Sequence, residues 1–487
     1  MKTLRDILYG VALLRTAGGT QTSVKGLALD SRKVAPGFLF AALRGTQVDG
    51  HAYMAQAVAQ GATAILCEEW PAEKAPGVCY LVVENSARAL GIVADNFYDR
   101  PSAELQLVAI TGTNGKTTTA TLLYQLGQHL GHTCGLISTV HVRVGNEERP
   151  ATHTTPDPIY LHGCLRDMAN AGVSYVFMEA SSHGIHQERM AGLKLRGAVF
   201  TNLSRDHLDY HGSFQNYLQA KKKLFDELPK GAFALTNIDD KNGAVMLQNT
   251  AAQRFSYALK SDADFKGRLL EQQRHGMLLR LGQQEVWVRL LGQFNAYNVL
   301  ALYAVAQLLG EEELAVATAL SKLQPVRGRF EYIQAPDGGL TVVVDYAHTP
   351  DALENVLKTL QELRAIGGKI WTIVGCGGNR DKGKRPEMAQ IAVQYSDQTI
   401  FTADNPRHED PEAIIADMAA GIPGRENRYL SISNRRQAIK TALQMAEAAD
   451  LVLIAGKGHE KYQEIAGERK PFDDLAVARE YLPKARR

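Results

Sequence analysis

The sequence predicts an α/β protein of three domains: a central P-loop-containing, doubly wound, mostly parallel sheet, a C-terminal Rossmann-like α/β domain and a smaller N-terminal α/β domain. Three observations predict it. A chain of 487 residues is too long for one compact core. Short apolar runs rich in β-formers alternate with helical patterns along it. That alternation restarts at "AELQLVAITGTNGKTTTATLLYQLGQHLG" and again at "LTVVVDYAHTPDALENVLKTL", each a buried strand running into a helix.

Residues 1–101 open with "MKTLRDILYGVALLRTAGG", which reads as an amphipathic first helix because its apolar run is too short for an export signal. Short strands follow ("GLALD", "GFLFAAL", "ATAILC", "CYLVVE"), with a helical patch at "AYMAQAVAQ". Residues 102–330 carry a strand, a glycine loop and a helix, then strands at "GVSYVFMEA" and "GAVFTNL". Residues 331–487 cycle strand and helix through "KIWTIVGCGG", "QTIFTADNP" and "DLVLIAGKGHE". The polar clusters fall where apolar strands end, and open α/β sheets bind ligands in the crevice at the carboxyl ends of their strands.

Composition narrows the partners. Lysine and arginine number 54 against 52 acids, a net charge of +2, which leaves no electrostatic footprint for nucleic acid. No segment approaches the apolar length of a membrane span, so no membrane insertion is expected. The five cysteines lie far apart without a CxxC pair, which fits reduced thiols and a cytoplasmic location better than a disulfide framework or zinc site.

"AITGTNGKTTT" places Gly112, Gly115, Lys116 and Thr117 between strand and helix. Such glycines let backbone N–H groups face phosphate oxygens, the helix adds its positive end, lysine reaches the β and γ phosphates and threonine holds Mg²⁺. Ile110 stands where the longer consensus has glycine, so this is a shortened variant that binds ATP. Glu179 ends the strand of "YVFMEASSH", and His207 follows the next in "FTNLSRDHLDYHG". The two can share a divalent ion with ATP, or His207 can pair with Asp206 or Asp209. Lys221, Lys222 and Lys223 point about 100° apart around a helix, so they cannot all face one way, and one can point into the site.

"TIFTADNPRHEDP" stops an apolar strand at Asp404-Asn405-Pro406-Arg407. Asn and Pro suit a turn. The arginine suits bidentate grip of a carboxylate or phosphate, or a surface pair with Glu409 or Asp410.

In order and spacing, "TGTNGKTTT", "MEASSH", "NLSRDHLDYHG", "LGQFNAYN", "VRGRFE", "VVVDYAHTPD" and "AGKGHE" resemble the Mur ligase family, ATP-dependent enzymes that add amino acids to the cell-wall precursor. The chain is most similar to the type that adds meso-diaminopimelate to the D-glutamate of UDP-N-acetylmuramoyl-L-alanyl-D-glutamate through an acyl phosphate. Alternatives are the lysine-adding type, folylpolyglutamate synthase, or, from another class, a P-loop protein using ATP as a switch.

The resemblance implies ATP, Mg²⁺ and a CO₂-derived carbamate on Lys221 as cofactors, with Lys116, Glu179, His207 and Lys221 as the catalytic set. It implies that Gly112, Thr113, Asn114, Gly115, Lys116, Thr117 and Thr118 cradle the phosphates, with Asn295, Asn298, Arg329 and Asp345 also at the nucleotide. Thr117, Glu179, His207 and carbamylated Lys221 would hold the metal. Ser31, Thr46, Gln47, Val48, Thr154, Thr155, Ser181, Gln187 and Arg189 would meet the UDP-sugar peptide; His153 stands where the family often has Asn. Arg380, Asp404, Asn405, Pro406, Arg407, Gly456 and Glu460 would bind diaminopimelate, Arg407 taking the carboxylate that lysine lacks. The expected protein is a monomer whose C-terminal domain closes over the site.

Overall fold

The computed structural model describes residues 2–45, 48–145, 147–273, 275–336 and 339–482. Its strands form three large sheets in chain order, of five, eleven and six strands. In the first, Gly26–Ala28, Phe38–Ala41, Ala64–Cys67 and Cys79–Val82 run parallel, with Arg15–Ala17 antiparallel at the edge. The helix Ser86–Phe97, capped by the Asn85 side chain, covers one face with Leu90 and Val93 against Leu39, Leu66 and Leu81. The expected long amphipathic first helix is instead the single turn Leu4–Ile7. A Thr3–Asp6 capping box starts it, and Gly10 at φ +81° turns the chain away toward the edge strand.

The central sheet is built around the strand Gln106–Thr111. Tyr175–Glu179 lies parallel on one side and Gly197–Phe200 on the other. Cys134–Ile137 extends the parallel set in one direction, and Phe233–Asn237 and Gln253–Ala258 in the other. Antiparallel strands finish both edges, His141–Val144 and Glu147–Pro150 at one, Gly276–Leu281 and Gln284–Val288 at the other. Val108 and Ile110 point to one face, where the helices Lys116–His129 and Gln293–Leu309 cover them. Leu107 and Ala109 point to the other, under Leu165 and Phe225. Burial on both faces explains why this strand reads as a continuous apolar run rather than an alternating one.

The third sheet repeats the scheme with Thr341–Asp345, Leu451–Ala455, Ile370–Val374, Gln398–Phe401 and Tyr429–Ser431 parallel and Glu331–Gln334 antiparallel at the edge. Helix Pro350–Leu363 packs Leu353, Leu357 and Leu360 against Val343, Val374 and Leu453; helix Arg435–Met445 packs Ile439 and Leu443 on the opposite face. Among the described residues no helix is long and apolar enough to cross a membrane, and the five cysteines are free and buried.

Candidate active site

The strand order reverses beside Gln106–Thr111, so a crevice opens at its carboxyl end. The loop Gly112–Gly115 occupies it. Gly112 has φ +149° and a Cβ there would sit 1.9 Å from Thr201 Oγ1; no larger residue fits. Gly115, at φ +86°, opens the helix Lys116–His129. The amides of Thr113 and Asn114 donate to Asn202 O (2.8 Å) and Asn202 Oδ1 (2.9 Å), which fixes the loop against the neighbouring strand's extension. Lys116 Nζ donates to the Gly112 and Thr113 carbonyls at 2.9 and 2.8 Å, and Thr117 and Thr118 are buried behind it. Ile110 is a core residue of the strand.

Glu179, fully buried at its strand end, accepts from Thr117 Oγ1 (2.9 Å) and from Thr139 N (2.7 Å) and Oγ1 (3.2 Å). A carboxylate bonded to the loop threonine is a donor set suited to a small hard cation. The three lysines diverge. Lys222 pairs with Asp226, Lys223 with Glu188 and Glu227, and Lys221 turns inward to donate to Gly112 O at 2.7 Å. Burial holds the Lys221 ammonium well below its usual pKa range, with Lys116 acting in the same direction. Lys116 is lowered too, chiefly by desolvation, against the opposing charges of Glu179 and Asp206. His207 stands 3.3 Å from Asp206 and edge-on to His183 (centroids 4.8 Å), its imidazole lowered by burial against the pull of Asp206. Among the described residues no three His, Cys, Asp or Glu side chains form a metal cage; Glu179, Asp206 and His207 all line the cavity at this place.

A cavity of about 560 Å³ runs from this loop to the third sheet, lined on one side by Lys116, Glu179, His207 and Lys221 and on the other by Arg329, Asp345, Tyr346, His348 and Asp351. Arg329 Nη2 donates to Thr117 Oγ1 at 3.0 Å and its guanidinium lies 4.3 Å from the Tyr346 ring centroid. Asp345 accepts from the amides of Phe330 (2.6 Å) and Ala347 (2.7 Å); burial raises its pKa while Arg329 counters. Asn298 lines the cavity and Asn295 stands behind it, accepting from Asn298 Nδ2 at 3.0 Å. Asp351 joins the sheets by accepting from Asn114 Nδ2 (2.8 Å) and Ser204 Oγ (3.1 Å).

A second group lies next to Glu179. Thr155 Oγ1 donates to Glu179 O (2.8 Å) and accepts from Ser181 N (3.0 Å), Arg189 Nη1 donates to Thr155 O (2.7 Å), and Arg189 also holds Gln187 Oε1. Thr154 Oγ1 accepts from Thr139 Oγ1 at 3.0 Å. His153 is exposed beside them. Ser31, buried in the short turn Ser31–Lys33 that follows the strand Gly26–Ala28, donates to Gln56 at 2.9 Å rather than to this group, and Val48 is exposed. Thr46 and Gln47 lie outside the described residues.

Beyond Gln398–Phe401 the loop Asp404–Arg407 packs on the hairpin Tyr462–Ile465 and Glu468–Pro471. Arg407 is left-handed at φ +54°; its amide donates to Glu464 O (3.0 Å) and its Nη1 to Gly378 O (2.8 Å). Glu409 is taken by Arg385 and Asp410 caps a helix, so among the described residues Arg407 and Arg380 pair with no carboxylate. Both flank Gly377, where a Cβ would lie 3.0 Å from Arg407 Nη1 and 3.8 Å from Arg380 Cγ. Asp404 and Asn405 are buried. Gly456, at φ +112°, leaves room for Asp404 Oδ2, and Glu460 accepts from Asn405 Nδ2 at 2.8 Å. The Pro406 carbonyl accepts from Glu409 N at 3.0 Å.

Thr139, Asp351 and Lys457 are not among the site residues expected from the sequence. Lys457 carried a signal, a lysine between glycines at a strand end; Thr139 carried none, because its partner is distant in the chain.

Three family profiles match in chain order: "Mur ligase family, catalytic domain" over residues 23–98, "Mur ligase middle domain" over 110–306, and "Mur ligase, glutamate ligase domain" over 328–458. A Bacteroides fragilis protein named UDP-N-acetylmuramoyl-L-alanyl-D-glutamate–2,6-diaminopimelate ligase is 52% identical over 478 residues, 98% of each chain. A Geobacillus kaustophilus protein of the same name is 44% identical over 95% of each. A solved structure of a ligase of that name superposes with a TM-score of 0.69 at 35% identity, covering 99% of this chain and 98% of that one. MurF ligase from Thermotoga maritima in complex with ADP shares the fold, with a TM-score of 0.62 at 19% identity, over 90% of this chain and 94% of its own.

Proposed function

The chain belongs to the Mur ligase family, and from that premise we propose that it joins meso-diaminopimelate to the D-glutamate of UDP-N-acetylmuramoyl-L-alanyl-D-glutamate, at the expense of ATP, in peptidoglycan precursor synthesis in the cytoplasm. The observation that carries the reading is one cavity lined both by the phosphate loop with Glu179 and by the third sheet. Residues 1–101 hold the UDP-sugar, 102–330 the ATP and 331–487 the amino acid; the protein works as a monomer.

A carboxylate is a poor acyl donor because its leaving group would be oxide. The glutamate γ-carboxylate oxygen therefore attacks the γ-phosphorus of ATP, releasing ADP and forming an acyl phosphate. The neutral amine of diaminopimelate attacks that carbonyl, phosphate leaves, the nitrogen loses a proton and an amide remains. Lys116 and the first-turn amides of its helix, Lys116 to Thr118, stabilise charge spread over the transferring phosphoryl group. Thr117, Glu179 and His207 would hold Mg²⁺, which when bound neutralises phosphate charge. Lys221 would complete that set as a carbamate; its inward amine, held toward the neutral form, is the form that takes up CO₂. Asn298, braced by Asn295, with Arg329 and Asp345, faces the nucleotide. Ser31, Thr46, Gln47, Val48, Thr154, Thr155, Ser181, Gln187 and Arg189 meet the UDP-sugar peptide.

Arg407, with no carboxylate partner among the described residues, takes the second carboxylate of diaminopimelate, with Arg380 beside it, while Asp404 and Glu460 face the ammonium. Once a bound amino acid covers the half-buried Arg407, leaving it without a carboxylate partner costs about 2–5 kcal/mol, which disfavours lysine. The test is phosphate release from ATP and Mg²⁺ with UDP-N-acetylmuramoyl-L-alanyl-D-glutamate, comparing meso-diaminopimelate with L-lysine. Release with diaminopimelate alone is expected. Release with lysine would overturn the role of Arg407, and release without the UDP-sugar peptide would favour an ATP switch.

A further inference from the structure

Lys457 is fully buried, which is uncommon for a lysine. Its Nζ donates to Asn405 Oδ1 and Glu460 Oε2, both at 2.9 Å, and Asn405 Nδ2 donates to the same Glu460 oxygen at 2.8 Å. These contacts close a triangle. A fourth contact comes from the hairpin, where Glu464 N donates to Asn405 Oδ1 at 2.9 Å. The Asn405 oxygen is thus committed inside the protein, and one carboxylate oxygen of Glu460 is pinned.

Charge adds a second argument. Around the loop, the cations Arg380, Arg407 and Lys457 stand against the carboxylates Asp404 and Glu460, an excess of one positive charge; the neighbouring Arg435 is neutralised by Asp474 at 2.7 Å. An amino acid whose far end carries both ammonium and carboxylate is neutral there. One whose far end is a bare ammonium meets the excess charge in a partly desolvated place, where like charges repel far more than in water.

We propose that Lys457 is a specificity-determining positioning residue: it fixes Glu460 and Asn405 for the incoming ammonium, and its charge rejects diamino acids that lack the second carboxylate. This rests on the reading of the Arg407 loop as the diaminopimelate site. Lysine rejection would then come from a missing partner for Arg407 and also from repulsion traced to Lys457.

The experiment measures kcat/KM for meso-diaminopimelate and for L-lysine at saturating ATP and UDP-sugar peptide, in the wild type and in Lys457→Met, Lys457→Arg and the pair Lys457→Met with Glu460→Gln. In Lys457→Met the KM for diaminopimelate should rise roughly tenfold or more, the KM for ATP should hold, and the preference for diaminopimelate over lysine should fall roughly tenfold. Lys457→Arg should retain the preference. The pair keeps the test open if the single variant fails to fold, because it removes the carboxylate left unpaired, and it too should show a reduced preference. Equal losses for both amines in every folded variant would overturn the proposal and leave Lys457 a packing residue. Failure of the wild type to use diaminopimelate would instead overturn the underlying site assignment, whatever the variants do.

Discussion

At the residue scale, Lys221 best separates a structural from a chemical role. It could have been one more solvated lysine of "AKKK"; instead Lys222 and Lys223 take the ion pairs and Lys221 reaches the phosphate loop. Lys221→Ala should lose most amide-forming activity and regain part of it when a short carboxylate such as acetate or formate is added to the buffer. A variant that works normally would end the carbamate assignment. The three-way divergence was legible in the sequence, since helix geometry spreads consecutive side chains by about 100°. Which lysine turned inward was not, because that depends on the position of Gly112, far away in the chain. Arg407 divides the same way: a guanidinium after a rigid turn was readable, but its freedom from Glu409 required knowing that Arg385 claims that carboxylate.

At the element scale, the strand-loop-helix units were legible because strands buried on both faces are apolar throughout and end abruptly. The antiparallel edges of the central sheet and the shortness of the first helix were not. Each depends on where a hairpin finds a free sheet edge or a glycine turns the chain, as at Gly10. Gly456 shows how closely an element end can be fitted to a side chain, since a Cβ there would lie 2.3 Å from Asp404 Oδ2. Gly456→Ala should therefore lower stability by about 1–3 kcal/mol from its left-handed backbone alone. It should also raise the KM for diaminopimelate; thermal denaturation and steady-state kinetics check the two effects separately. An unchanged KM would mean that the Asp404 loop does not meet the amino acid.

At the scale of the whole molecule, the site exists only because two sheets present their strand ends to one cavity. Asp351 is the clearest tie between them, accepting from Asn114 in the phosphate loop and from Ser204, with Arg205 and Glu387 pairing nearby at 2.7 Å. Such a carboxylate is worth about 1.5–3 kcal/mol for each hydrogen bond it accepts. Asp351→Ala should enlarge the radius of gyration measured by small-angle X-ray scattering and weaken ATP binding severalfold. An unchanged scattering curve would show that the contact does not hold the sheets together.

Arg407 sits at φ +54°, a backbone setting that asparagine or glycine adopts more comfortably than arginine. Its presence there works against the stability of its own loop, so a screen that rewards heat resistance alone would discard this side chain early. If Arg407 selects the amino acid as proposed, directed evolution of this chain toward robustness would need to be run under a demand for amide synthesis, or it would erase that preference while raising heat resistance.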